Sequence, residues 1–243
     1  MLLNAIQSGF DLPMILMCAL SSVVVIFLTL PVHEWAHGFV STKLGDPTPR
    51  YQGRLTLNPL AHIDPVGAIG ILLFGIGWAK PVEVNARYYK NPKWGMAAVA
   101  AAGPISNVIV AFVSVFLLNL VYNVTPFANS MLISNGILYT ISGNGYSIVD
   151  LIIIFLYYIA VINISLAVFN LIPIPPFDGS RILFTFLPQR YYFTIMRYER
   201  YIFLGVLLIL FVGVLDYPIK VATDGVFNLV WSLASLPFRL FGN

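Results

Sequence analysis

Leu30-Pro31-Val32-His33-Glu34-Trp35-Ala36-His37-Gly38 ends an apolar run that begins near Leu12. On a helix His33 and His37 stand four residues apart on one face, where two imidazoles can share a metal ion. Glu34 follows the first of them, within reach of a water on that metal. Between Met14 and Leu30 there is no charged residue. Such a run reads as membrane-spanning, so the pattern sets a metal site inside a bilayer helix. The rest of the chain has to supply a third ligand, water and room for a substrate.

Composition agrees with that setting. The 243 residues are 59% apolar and 9% charged, with a mean hydropathy of +0.86. Soluble domains carry roughly 25% charged residues, so this is a polytopic membrane protein. The expected fold is all-α, with about four to six transmembrane helices and a short re-entrant or β-hairpin segment after the first long helix. Residues 1–243 read as one domain with no room for an added soluble module. The formal charge of +3 does not argue for nucleic acid, because Lys and Arg in such a chain report topology. A single cysteine, Cys18, excludes a disulfide framework and a thiolate zinc site. The first residues lack the basic region of a cleavable signal peptide.

Leu12 to about Lys43 reads as one long helix, with Pro31 placed to kink it just before the histidines. A polar loop, Lys43–Asp64, follows. Pro65–Trp78 is apolar but too short to span, and its glycines favour a re-entrant segment or hairpin. Lys80–Asn85 alternates at Val82 and Val84 like a strand that Pro81 would confine to an edge. Further spans are expected at about Trp94–Tyr122 and Ile148–Leu171. The Pro-rich break Ile172–Ser180, an amphipathic stretch to Arg200 and an apolar run Tyr201–Leu215 come next. Lys220–Asn243 spans or lies along the interface.

Eleven of the thirteen Lys and Arg residues fall within Lys43–Lys93 and Arg181–Arg200, and none lies in Asn123–Ser147. The positive-inside rule then sets both basic regions in the cytoplasm and the N-terminus outside. The Pro65–Trp78 segment enters and leaves on one side. His37 precedes Lys43 by six residues, roughly 9 Å along a helix, which sets the metal in the cytoplasmic half of the membrane.

Zinc held by two histidines commonly takes a carboxylate as third ligand and leaves a fourth position to water. Asp64 precedes Pro65 in the pattern of a helix cap. Glu83 and Glu199 have basic neighbours and surface explanations, while Asp150 and Asp216 fall at outer ends of spans. Asp178 differs. It follows Pro173, Pro175 and Pro176, which force the backbone open as the third span ends. Open backbone at that depth lines a polar cavity, and a carboxylate there is a functional candidate. The alternative is a solvated turn aspartate paired with Arg181.

His33-Glu34-Trp35-Ala36-His37, Gly103-Pro104-Ile105-Ser106-Asn107 and Asn170 through Asp178-Gly179 together resemble the site-2 protease family, zinc metalloproteases that cleave other proteins inside the membrane. The run Gly53–Pro65 and Gly77-Trp78-Ala79-Lys80-Pro81-Val82 resemble its compact branch. Glu83 departs from the proline expected after Lys-Pro-Val, which bears on substrate docking only. The resemblance implies one Zn2+ per chain held by His33, His37 and Asp178, with Glu34 as catalytic acid/base. Asn170 and Asn107 match positions that assist near the metal. A carboxamide at Asn170 suits a developing oxyanion. Asn107 shares a helix face with Gly103, and an interhelical hydrogen bond is its alternative role. For His62 a loop-anchoring hydrogen bond is expected, with a third histidine ligand as the alternative.

The resemblance further implies transmembrane protein substrates, the lipid bilayer as surroundings, and a plasma or inner membrane location. Substrate would unwind and add to the Lys80–Asn85 edge. Rival classes are a zinc transporter, whose histidines and aspartate would line a pathway, and a catalytically silent homologue that binds membrane proteins. A membrane-anchored zincin acting on soluble chains is a third. A transporter has no use for a glutamate directly after its first ligand.

Overall fold

The computed structural model describes residues 2–241 except 8, 75–76, 126–130, 135–136, 141–145, 189–194 and 196. Parts of the basic Arg181–Arg200 stretch and of the Asn123–Ser147 loop therefore lie outside the described residues. Its helices are α1 (Leu2–Gln7), α2 (Leu12–Val24), α3 (Leu30–Lys43), α4 (Thr48–Tyr51), α5 (Pro65–Phe74), α6 (Pro92–Val124), α7 (Ile148–Asn170), α8 (Asp178–Phe184), α9 (Glu199–Phe211) and α10 (Asp216–Phe241). Among the described residues three helices are long and apolar enough to cross a membrane: Leu12–Lys43, Pro92–Val124 and Ile148–Asn170. The protein is a membrane protein.

Each long helix begins where the sequence supplies a cap. Asp11 accepts from the Met14 N–H ahead of Pro13, and Asn91 accepts from the Trp94 N–H ahead of Pro92. Ser147 and Asp150 form a reciprocal capping box at α7. The proline in the metal helix acts one turn upstream of itself. Val25–Thr29 widens into a π-helical turn, and the Leu30 N–H reaches the Val25 carbonyl. That widening makes room for the Pro31 ring, which has no N–H to donate. The run 12–43 stays helical throughout.

The core is built on α6 and α7. Ala111 and Val115 of α6 pack with Ala160 and Ile164 of α7 and with Phe227, Val230 and Ala234 of α10. Cys18 of α2 is buried in apolar company with Leu118, Ile153 and Ile154. Val25, Ile26 and Leu30 pack on Ile71, Ile162 and Leu166, bringing the metal helix against α5 and α7.

Within the Pro65–Trp78 segment, Pro65–Phe74 form a helix, α5, where a re-entrant segment or β-hairpin was expected. Its ten residues of α5 cover about 15 Å, half of a bilayer core. Asp64 caps it, accepting from the Val66 and Gly67 N–H groups at 3.0 and 2.9 Å. The chain then returns to its starting point. Ile63 and Ala79 form an antiparallel bridge, and the Lys80 N–H donates to the His62 carbonyl at 2.7 Å. Gly67 allows the closure, since a Cβ there would overlap the Trp78 carbonyl.

Lys80–Asn85 corrects the strand expectation. Among the described residues it joins no sheet, because its N–H groups find other acceptors: the His62 carbonyl for Lys80, and carboxylates of Glu34 and Asp46 for Val82 and Asn85. The described strand pair is elsewhere: β1 (Met131–Ser134) pairs antiparallel with β2 (Ile137–Thr140) between α6 and α7.

Candidate active site

Helix α3 presents His33 and His37 on one face, with their Nε2 atoms 3.1 Å apart. Asp178, at the start of α8 after the proline break, brings Oδ2 to 3.4 Å from His33 Nε2 and 3.3 Å from His37 Nε2. The far ring nitrogens decide the chemistry of this triangle. His37 Nδ1 faces the Val99 carbonyl at 2.7 Å, and His33 Nδ1 faces Asn107 Oδ1 at 3.3 Å. A carbonyl or carboxamide oxygen only accepts, so each Nδ1 carries the hydrogen and each Nε2 is left with a bare lone pair. Two lone pairs and a carboxylate oxygen then meet with no hydrogen between them, which calls for a cation. Ligands held tetrahedrally at about 2.0–2.1 Å from zinc lie roughly 3.3–3.4 Å from one another, so the observed spacings fit that ion.

The two histidines and Glu34 are 5%, 8% and 7% exposed. Helix α6 comes close enough to press on them because position 103 is glycine. A Cβ there would stand 2.6 Å from His33 Nε2 and collide with His37 Nε2. The acceptors Val99 and Asn107 lie one turn before and one turn after Gly103, on the same face of α6.

Glu34 lies beside the triangle, and its Oε2 accepts from the Val82 N–H at 2.9 Å. His33, Glu34, His37 and Asp178 line a cavity of about 1030 Å³ shared with Val82 and Asn170. Asn170 donates a side-chain N–H to the Leu166 carbonyl of its own helix at 3.0 Å. Asn107 is fully buried behind His33 and does not line the cavity. Arg181 donates to Met96 Sδ at 3.7 Å, and among the described residues the ion-pair partners of Asp178 are His33 and His37. His62 lies apart from the triangle, fully buried, with Nε2 donating to the Thr56 carbonyl at 2.8 Å. That bond anchors the loop ahead of α5. The Val82 N–H, the Val99 carbonyl and the pressing role of Gly103 had no separate mark in the sequence. Two are backbone groups, and the glycine was legible only as a place of close helix contact.

The family model for Peptidase family M50 matches residues 21–213. The chain belongs to peptidase family M50, the site-2 protease family. It is 39% identical over 193 residues to YwhC of Bacillus subtilis (strain 168), covering 78% of this chain and 79% of that protein. It is 27% identical over 161 residues to Rip2 of Mycolicibacterium smegmatis, covering 63% of this chain and 51% of Rip2. Zinc metalloprotease MJ0392 of Methanocaldococcus jannaschii is 27% identical over 168 residues, 69% of this chain and 34% of its own length. All three bear zinc metalloprotease names. No solved structure matches the chain significantly. This M50 protein is a zinc metalloendopeptidase.

Proposed function

We propose that the protein is an intramembrane endopeptidase that hydrolyses peptide bonds in or near transmembrane segments of other membrane proteins. The observation that carries this reading is the position of the metal-binding pattern. His33, Glu34 and His37 belong to a 32-residue helix whose most apolar 18-residue window has a mean hydropathy of 2.6, and they line a cavity. A substrate already in the bilayer would meet a site on such a helix laterally, without first leaving the membrane.

His33, His37 and Asp178 are the residues that would hold zinc, which when bound supplies a Lewis acid for the scissile carbonyl and acidifies water. Glu34 takes the proton of the attacking water and passes it to the leaving amine. The Val82 N–H fixes one carboxylate oxygen of Glu34 and leaves the other for that transfer. Asn107 orients the His33 ring, and Asn170 offers its carboxamide from the cavity wall to the developing oxyanion. The charge pattern supports a cytoplasmic location for the basic loops and a site in the cytoplasmic half of a plasma or inner membrane. Helices α9 and α10 would bring the spans to four or more, with α5 as the re-entrant segment.

The test is cleavage of a transmembrane peptide in proteoliposomes. The wild-type chain should cut it, and Glu34→Gln should lose cleavage while keeping about one zinc per chain. Cleavage of a soluble unfolded protein but not of the embedded peptide would remove the intramembrane reading.

A further inference from the structure

The extended residues 82–85 run along one face of α3 and are fastened to it at intervals. The Val82 N–H donates to Glu34 Oε2 at 2.9 Å. Its side chain lies over Gly38, where a Cβ would stand 3.5 Å from Val82 Cγ1. The Asn85 N–H donates to Asp46 Oδ2 at 2.7 Å, and the same oxygen accepts from Ser41 Oγ at 2.7 Å. Glu34, Gly38 and Ser41 follow the spacing of one helix face. The lengths agree as well. Three extended steps cover roughly 10 Å at ~3.3 Å each. Seven helical residues rise about 10.5 Å. The segment is a strut matched in length to the helix beside it, and its upstream end is fixed by the Lys80–His62 hydrogen bond and the Ile63–Ala79 bridge.

Asp46 is the peg at the downstream end. It is fully buried, and its second oxygen accepts from the Thr48 N–H at 2.9 Å. Ser41 gives its hydrogen to Asp46, so Tyr89, whose hydroxyl is 2.7 Å from Ser41 Oγ, donates to the serine. Asp46, Ser41 and Tyr89 do not line the cavity. Whatever they contribute to the reaction passes through the strut.

Taking Glu34 as the base, as proposed above, we infer that Asp46, backed by Ser41 and Tyr89, is a positioning residue: it pegs Asn85, thereby sets the Val82 N–H, and so aims the Glu34 carboxylate. Without the peg the strut keeps its upstream ties and one exposed side-chain hydrogen bond, from Gln52 Nε2 to Glu83 Oε2 at 2.6 Å, while the Asn85 backbone is released, and the Val82–Glu34 hydrogen bond opens more often.

Amide exchange of the zinc-loaded protein, labelled with 15N-valine in micelles, reads this directly. Asp46→Ala should speed exchange at Val82 by about tenfold or more, while Val115 of α6 and Val161 of α7 keep their wild-type rates. Asp46→Asn, which keeps one acceptor oxygen, should fall between. On a transmembrane peptide Asp46→Ala should lower kcat by roughly 10–100-fold, and should lower it no further in a Val82→Pro background, where the N–H is already gone. If Asp46→Ala does not accumulate, Ser41→Ala carries the same comparison with a smaller effect in the same direction. Unchanged exchange at Val82, equal acceleration of all three valines, or an equal kcat loss in both backgrounds would overturn the inference. A strut that responds in a protein cleaving no transmembrane peptide would leave the inference about the strut standing and remove the intramembrane reading proposed above.

Discussion

Gly103→Ala is the sharpest perturbation the site offers, because it adds one methyl group and removes nothing. The new Cβ would stand 2.6 Å from His33 Cε1 and Nε2 and would collide with His37 Nε2. Ordinary carbon contacts begin near 3.5 Å, so about 1 Å of movement is needed. Neither partner can supply it freely. The histidine rings are held at Nδ1 by Val99 and Asn107, at 2.7 and 3.3 Å. Both acceptors sit on α6 itself, one turn either side of the methyl, so withdrawing α6 stretches the bonds that orient the rings. The methyl would also occupy the space between two lone pairs that a shared ion must fill. Loss of ring orientation alone typically costs 10–100-fold in metal affinity, so a fall of at least about 100-fold is expected, or roughly 2.7 kcal/mol. The assay is zinc content after dialysis against a graded chelator, with thermal unfolding measured with and without zinc. The zinc-dependent rise in Tm should largely vanish. Gly205→Ala is the control, since a Cβ there meets nothing within 4 Å. A Gly103→Ala protein that keeps one zinc per chain at wild-type affinity would refute the picture of α6 pressed against the ligand face.

Asp178→Ala should drop zinc occupancy under the same dialysis, and unchanged metal content would remove it from the ligand set. Asn107→Ala leaves the His33 Nδ1–H without its acceptor, and zinc affinity should fall about 10–100-fold with the cavity otherwise intact, measured by competition with a chromophoric chelator. Burial pushes the Asp46 carboxyl up, but hydrogen bonds from Thr48, the Asn85 N–H and Ser41 outweigh it and hold the group below its ordinary 3.8. A depressed carboxylate stabilises the fold fully above its unfolded value and loses that contribution as pH falls through the folded one. Protection of the Val82 amide, corrected for intrinsic exchange, should therefore stay level from neutral pH to about 5 and decline below about 4. Asp46→Ala should lack that acid limb.

The three long helices were legible because each is an uninterrupted apolar run with a polar cap in front. Asp178 was legible for a different reason: three prolines end α7, and the chain needs a cause to break inside an apolar region. The carboxylate at the end of that break is the one that meets His33 and His37. The strut was read only in part. Alternation at Val82 and Val84 does mark extended backbone, but the acceptors it meets are side chains about forty residues earlier, where period-two patterning carries no information. The strand pair of β1 and β2 lies in a loop read only for its lack of Lys and Arg, and the π-turn at 25–29 is a packing response to Pro31 that a kink signal does not distinguish. Backbone contributions such as the Val99 carbonyl carry no residue type and leave no trace in a single sequence.

The central claim is that Glu34 works on peptide bonds within the membrane, and the scissile bond itself reports on it. Mass spectrometry of the products from a transmembrane peptide of defined register, cut in proteoliposomes, locates that bond. The account predicts cleavage inside the apolar span, in the half nearest the substrate's cytoplasmic flank, and none by Glu34→Gln. Cleavage confined to soluble flanking segments, with the apolar span left whole, would contradict it.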